Sequence, residues 1–291
     1  MKHNPTRSSS ASEPTPDPDL VTLTRHPTFT VVRIHAGPAN VLTRNLWGAL
    51  AAALRVVEAD ETQLGIAFLS GLRKPIFSAG NDIQELYAPN TSASRYRDFW
   101  LTSNTFLIDL YTSRLVTVAA IKGASPAGGC ALSLCCDIRI MTSNTCMKSY
   151  IGLNEVALGI HVPKFWGELM RRTASRASGA AIDRVLLDAT LMPSEQALDM
   201  GLVDELVNDV DALERRAVEV LESATRKKSA RVMAARHATK LLGREAFVAR
   251  WRTYLDGEAA LGWEALADEG TVEMLPGVVA RLGLKGPKSN L

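Results

Sequence analysis

Three short segments place small residues, a Gly-bearing turn and an isolated acid at spacings that could do chemistry. The first, Phe77-Ser78-Ala79-Gly80-Asn81-Asp82-Ile83, follows closely on the apolar run Leu64–Ser70. Small residues with a Gly permit a tight turn whose backbone N–H groups face outward. The second runs from Ile121 to Leu132 and contains Gly123-Ala124-Ser125-Pro126-Ala127-Gly128-Gly129-Cys130. There a strand pattern enters a Gly/Pro loop, and an apolar helix pattern begins near Gly128. A helix N-terminus offers unpaired N–H groups and partial positive charge, which suit it to holding an oxyanion. The third spans Tyr150 to Ile160 and carries Glu155, a lone carboxylate among apolar neighbours. Such surroundings raise a carboxyl pKa and fit the group to take and return a proton. Alone, each segment also reads as something ordinary: a strand-to-helix turn, a packing signal, a surface glutamate. The second loop matches neither the G-x-x-x-x-G-K-[ST] phosphate loop nor the G-x-S-x-G nucleophile elbow.

What gives the segments weight is their order. F-S-A-G-x-D-[IL], then K-G-A-x-P-A-G-G-C, then C-D-x-R-I, then I-G-L-N-E together resemble the enoyl-CoA hydratase/isomerase (crotonase) superfamily. Within it the likeness is to the mitochondrial-type Δ3,Δ2-enoyl-CoA isomerases (dodecenoyl-CoA isomerases). Pro38-Ala39-Asn40-Val41-Leu42 is similar to the family's early P-x-N-x-L element. The resemblance runs from about Val21 to Leu206 and continues more faintly toward the C-terminus.

Carried over position by position, the resemblance implies an oxyanion hole from the N–H groups of Asn81 and Gly128, gripping a thioester oxygen. It implies Glu155 as the catalytic acid/base, with Asn154 beside it. Ala79, Gly80, Asp82 and Ile83 complete the expected substrate-binding set. Hydratases of the family carry a second glutamate directly after the Gly-Gly-Cys, where this chain has Ala131. Hydration needs one group for the water and another for the α-carbon proton, whereas moving a double bond needs a single shuttle. The expected activity is therefore conversion of 3-enoyl-CoA to 2-trans-enoyl-CoA in the β-oxidation of unsaturated fatty acids. No metal and no cofactor are expected, since CoA is part of the substrate. The alternatives are another acyl-CoA chemistry on the same fold (hydratase, dienoyl isomerase or hydrolase), or an RNA-binding protein built on it. Relatives of this kind assemble as trimers or pairs of trimers, so a homo-oligomer is expected.

Among the elements that must position these residues, Thr28–Ile34, Leu64–Ser70 and Leu115–Ile121 are β-branched or apolar runs of strand length. Asp137–Met141 is a weaker fourth. Helical patterns over Arg44–Ala59 and about Ser92–Tyr111 lie between them. Strands alternating with helix-length segments predict an α/β fold, a crotonase-like core of strand–helix units. From about Val210 the chain reads as consecutive helices broken at Gly243, Gly257, Gly262, Gly270 and Pro276. The expected organisation is a flexible leader over 1–20, an α/β core over 21–209 and a helical C-terminal region over 210–291.

The chain has 291 residues, with 33 Lys and Arg against 31 Asp and Glu. A net charge of +2 gives no sign of a dedicated nucleic-acid or membrane-surface protein. No apolar run approaches the roughly 18 residues that span a bilayer. The basic stretch Arg226, Lys227, Lys228, Arg231, Arg236, Lys240, Arg244, Arg250 and Arg252 reads first as solvated helix faces. By the resemblance, one or two of these could meet CoA phosphates, also from a neighbouring subunit. Cys130, Cys135, Cys136 and Cys146 lack metal-site pairing and read as small core residues in a reducing compartment. His161, next to the third segment, is read as structural. The Ser- and Pro-rich leader, with Lys2 and Arg7 before any acid, suggests import to the mitochondrial matrix. Ser289-Asn290-Leu291, one residue from S-K-L, gives a peroxisome as the alternative.

Overall fold

The computed structural model describes residues 16–281. The expected leader, apart from its last five residues, and the Ser289–Leu291 address lie outside the described residues. Strands β1 (Val21–Arg25) and β2 (Phe29–Ile34) lead into helix α1 (Arg44–Glu58) and strand β3 (Gly65–Ser70). The short α2 (Ile83–Leu86) and long α3 (Ala93–Thr112) precede β4 (Val116–Ile121), β5 (Ala124–Pro126) and α4 (Gly128–Cys135). Then come β6 (Ile138–Thr142), β7 (Tyr150–Gly152), α5 (Lys164–Thr173) and α6 (Gly179–Leu187). The chain continues through β8 (Met192–Pro193), α7 (Ser194–Asp199) and β9 (Glu205–Val207). The described residues end in three helices, α8 (Val210–Thr225), α9 (Ala230–Ala267) and α10 (Glu269–Arg281).

The main sheet runs β1-β2-β3-β4-β6-β9 and is parallel except for the β1–β2 pair. Its central strands β3 and β4 are buried at every residue. Parallel strands covered on both faces read as unbroken apolar runs, which is why these two were visible in the sequence. One face, with Phe29, Val31, Leu69, Val118 and Ile140, packs on Leu213, Ala217 and Leu221 of α8. The other, with Val32, Ile66, Phe68 and Ile121, meets α1, α3 and α4. Helix α1 begins where Thr43 Oγ1 accepts the Leu46 N–H at 3.1 Å, and it buries Leu46, Leu50, Leu54 and Val57 as its spacing predicts. Ser92 caps α3 in the same way through the Arg95 N–H.

The C-terminal region is helical, but it does not break at its glycines. Helix α9 runs for 38 residues, about 57 Å, straight through Gly243, Gly257 and Gly262. At Gly262 a Cβ would come 2.3 Å from the Tyr96 hydroxyl, so the residue serves close approach of α9 to α3 rather than termination. The turn comes at Asp268, which ends α9 and whose Oδ1 accepts the Thr271 N–H at the start of α10. Pro276 lies within α10.

A buried carboxylate fastens α9 to the core. Asp137, just after α4, is paired with Arg236 at 2.9 Å, Lys240 at 2.7 Å and Arg244 at 3.1 Å. Burial alone would raise the Asp137 pKa, but Lys240 and the two guanidiniums overcome it and hold the carboxyl below its ordinary value. Arg250 pairs with Glu168, Arg226 with Glu222, and Arg252 stands 4.0 Å from Asp109. The basic stretch is therefore mostly internal ion pairing; Lys227, Lys228 and Arg231 are its only members without an acidic partner among the described residues. Asp137→Ala would strand three cations, one of them nearly fully buried, and removing one partner of a buried ionic group typically costs about 3–5 kcal/mol. Equilibrium urea unfolding at pH 7 should show a loss of that size.

Candidate active site

The element Pro38–Leu42 explains how the first segment is held. Asn40 Nδ2 donates to Phe77 O at 2.9 Å and to Ser70 Oγ at 3.0 Å, while Ser78 Oγ donates to Asn40 O at 2.8 Å. The Ala79 N–H reaches Ala39 O and the Leu42 N–H reaches Gly80 O. Gly80 has φ +86, a left-handed conformation that favours glycine at this turn. A Cβ there would stand 3.1 Å from the Ala127 Cβ and 3.2 Å from Pro126 O, so the first loop lies directly against the second. At Gly128 a Cβ would meet Asn81 Oδ1 at 2.5 Å, and that oxygen accepts from Trp47 Nε1 at 3.3 Å.

The third segment is brought in by a second sheet. Strand β5 pairs in parallel with β7, matching Ala124 with Tyr150 and Pro126 with Gly152. β7 in turn pairs with β8. The Ala127 N–H donates to Gly152 O at 2.8 Å. Three residues beyond Gly152, Glu155 opens a 3-10 turn that closes at Gly159. The β5–β7 pairing therefore places the start of α4 beside the glutamate. Ala127 adopts φ +49 and ψ −120, a sparsely populated conformation for a residue with a side chain. Such strain costs roughly 1–3 kcal/mol and persists only where the surroundings enforce it. It sets Gly128 as the first residue of α4, whose N–H has no carbonyl within the helix to bond. The Asn81 N–H also carries no hydrogen bond among the described residues.

Ala79, Asn81, Ile83, Asn154 and Glu155 line one cavity of about 290 Å³. Gly80 and Asp82 do not. Gly80 forms the turn behind Asn81, and Asp82 caps α2 by accepting the Gln84 N–H at 3.0 Å, facing a separate cleft with Arg95. Gly128 sits behind Ala127, which with Pro126 forms that part of the wall. Ala131 is fully buried in the core and absent from the cavity. His161 is exposed at the cavity's rim. Cys130, Cys135 and Cys136 are free and buried, packing α4 into the core. No cluster of metal-ligating side chains occurs among the described residues.

Sequence reasoning missed the remaining wall. Tyr96 and Trp100 from α3, Trp166 from α5, and Glu258, Gly262 and Leu266 from α9 close the cavity. The aromatic groups stack, with Tyr96–Trp100 centroids 6.1 Å apart and Trp100–Trp166 5.5 Å apart. These residues come together only through long-range packing, and no local pattern marks them.

Glu155 is 5% exposed, and neither of its carboxylate oxygens has a hydrogen-bond partner. Burial pushes its pKa up to about 7. An apolar cavity, two backbone N–H groups without acceptors and an undersolvated carboxylate can polarise a carbonyl and move a proton beside it.

The match to the enoyl-CoA hydratase/isomerase family model covers residues 25–259. The chain belongs to this family. It is 38% identical over 191 residues to the mitochondrial enoyl-CoA delta isomerase 1 of Rattus norvegicus, covering 66% of this chain but only 63% of that relative. It is 33% identical over 152 residues to the short-chain-enoyl-CoA hydratase of Clostridium acetobutylicum, covering 52% of this chain and 54% of the other. The crystal structure of human mitochondrial Δ3-Δ2-enoyl-CoA isomerase superposes with a TM-score of 0.82 at 29% identity, covering 90% of this chain and 98% of that one. The crotonase fold expected from the motifs, with its helical C-terminal region, is the fold observed.

The raised pKa of Glu155 has a consequence for this member of the family. A carboxyl whose folded pKa exceeds its unfolded value destabilises the fold once pH passes the unfolded value near 4.5. The cost grows until about 7 and then levels off. The displacement is worth roughly 3 kcal/mol. Glu155→Gln should therefore be more stable than the native protein at pH 8, by up to that amount, and close to it at pH 4. Denaturant midpoints at the two pH values check this.

Proposed function

We propose that the protein is a Δ3,Δ2-enoyl-CoA isomerase. The observation that carries the reading is Glu155: a carboxylate buried without partners, with a pKa of about 7, at the convergence of the two small-residue loops. The thioester oxygen of a 3-enoyl-CoA sits against the N–H groups of Asn81 and Gly128. Ionised Glu155 removes a proton from C2, and the electron pair delocalises into a dienolate whose oxygen those amides stabilise. Each donor is worth about 3–4 kcal/mol in sites of this type. Protonated Glu155 then delivers the same proton to C4, the double bond settles between C2 and C3, and the carboxylate is regenerated. The thioester supplies the electron sink, so the step uses no metal and no redox cofactor.

Hydratases are also relatives, and the choice between the activities rests on the count of carboxylates. Hydration calls for two groups near C2 and C3, and with Ala131 buried behind the cavity Glu155 serves alone at the oxyanion loops. The similarity to mitochondrial isomerases supports a mitochondrial location, with a peroxisome as the alternative, and the family resemblance supports a trimer or hexamer. Arg231 lies roughly 40 Å along α9 from Glu258 at 1.5 Å per residue. That end of α9 is therefore far from the part of the cavity wall that Glu258 forms.

A continuous assay on 3-enoyl-CoA should show isomerisation, with hydration of 2-enoyl-CoA slower by orders of magnitude; comparable hydration would contradict the assignment. Because the carboxylate is the active form, kcat should rise with pH and reach its plateau above about 7. Glu155→Gln should lower kcat by roughly 10²–10⁴ while acyl-CoA affinity changes little.

A further inference from the structure

One wall of the cavity carries polar groups that the double-bond shift does not use. Glu258 of α9 is 3% exposed. Its Oε1 accepts the Lys164 N–H at 2.5 Å, capping α5, whose preceding Pro163 has no side-chain cap to offer. Its Oε2 has no partner. Trp100, also 3% exposed, lines the same wall, and its Nε1 is likewise without a partner. The neighbouring Trp166 differs, since its Nε1 donates to Asn104 Oδ1 at 3.0 Å.

Helix capping accounts for Oε1 but leaves Oε2 and the Trp100 N–H unexplained. A buried acceptor or donor left unmet typically costs about 1–3 kcal/mol. Two of them, of opposite sense, on side chains that line the cavity point to an occupant that both donates and accepts. A hydroxyl is the smallest group that does so. Burial raises the pKa of Glu258 to about 7, opposed by the N–H groups of Lys164 and Phe165. Glu258 comes from α9, on the wall shared with α3 and α5, whereas Glu155 follows β7 beside the two small-residue loops.

We infer that Glu258 and Trp100 form a polar subsite that selects acyl thioesters bearing a hydroxyl on the acyl chain beyond the reacting carbons. The hydroxyl donates to Glu258 Oε2, and its oxygen is offered the Trp100 Nε1–H. The inference rests on the reading of the cavity as an acyl-CoA site. Sites built to hydrogen-bond a substrate hydroxyl discriminate far more sharply than apolar pockets do.

The test is calorimetric binding of saturated acyl-CoA thioesters to the full-length protein at pH 8. An unsubstituted chain is compared with isomers whose hydroxyl is stepped along it. At one position the hydroxyl should tighten binding at least tenfold. That ratio should fall below about threefold in Trp100→Phe, which keeps the aromatic wall but removes the N–H, and in Glu258→Met. The native ratio alone can overturn the subsite, whether or not Glu258→Met folds. If no hydroxylated isomer binds more tightly than the plain chain, the groups are met by water and the inference fails. It fails equally if the preference survives in Trp100→Phe. A protein that binds neither kind of thioester would instead overturn the acyl-CoA reading itself.

Discussion

The arrangement depends on keeping one carboxylate dry. In water the Glu155 carboxylate would be fully hydrated and a weak base; in the fold both of its oxygens are buried without a hydrogen bond. A charge in that position is expensive, and the fold meets the expense in two ways. The site is neutral over much of the acidic range, because the pKa lies near 7. The surrounding walls come from distant parts of the chain, so they do not yield locally to admit water. Helices α3, α5 and α9 provide stacked aromatic rings on one side. On another, α10 leans on the 3-10 turn that carries Glu155, with the Met274 methyl 2.1 Å from where a Cβ on Gly159 would lie.

Where the site tolerates strain and an unpartnered charge, the rest of the structure is heavily satisfied. Asp137 lies at the far end of the helix that begins at the strained Ala127–Gly128 step. Its three cations fasten α9 to the core, so the helix that closes the cavity is anchored roughly 20 Å or more along its axis from Glu258. Stability concentrated there and strain concentrated at the reacting groups is the division expected of an enzyme. The anchor also explains why a stretch of nine basic residues leaves so little free positive charge.

Much of this was legible in the sequence where a local pattern carries the physics. β3 and β4 showed as apolar runs because both their faces are covered, and α1 showed through the spacing of Leu46, Leu50, Leu54 and Val57. Gly80, Gly128 and Glu155 are types that a turn, a helix start and a buried acid require, but the roles of Asn81, Gly128 and Glu155 came from the order of the motifs and the resemblance it carries. Strands β5, β7 and β8 did not show, since two or three residues are too few for an alternation to register. They nevertheless make the decisive juxtaposition of Ala127 with Gly152. The glycines of α9 misled, because helix-breaking tendency was outweighed by tertiary packing, most plainly at Gly262 against Tyr96. Asp82 misled in another way: it belongs to the motif, yet its side chain is used as a helix cap. Glu258 had no signal, being one of four acids on α9 with nothing local to set it apart until α5 covers it.

That burial alone poises Glu155 as a base near neutrality is tested most directly by infrared titration of the resting protein against Glu155→Gln. Subtracting the variant leaves the Glu155 carboxyl band and cancels the other acids, Glu258 included. The band of the protonated acid should persist through pH 6 and give way to carboxylate with a midpoint near 7. A midpoint near the ordinary 4.5 would mean that the carboxylate is solvated or paired in solution, and would contradict a dry base at the centre of the site.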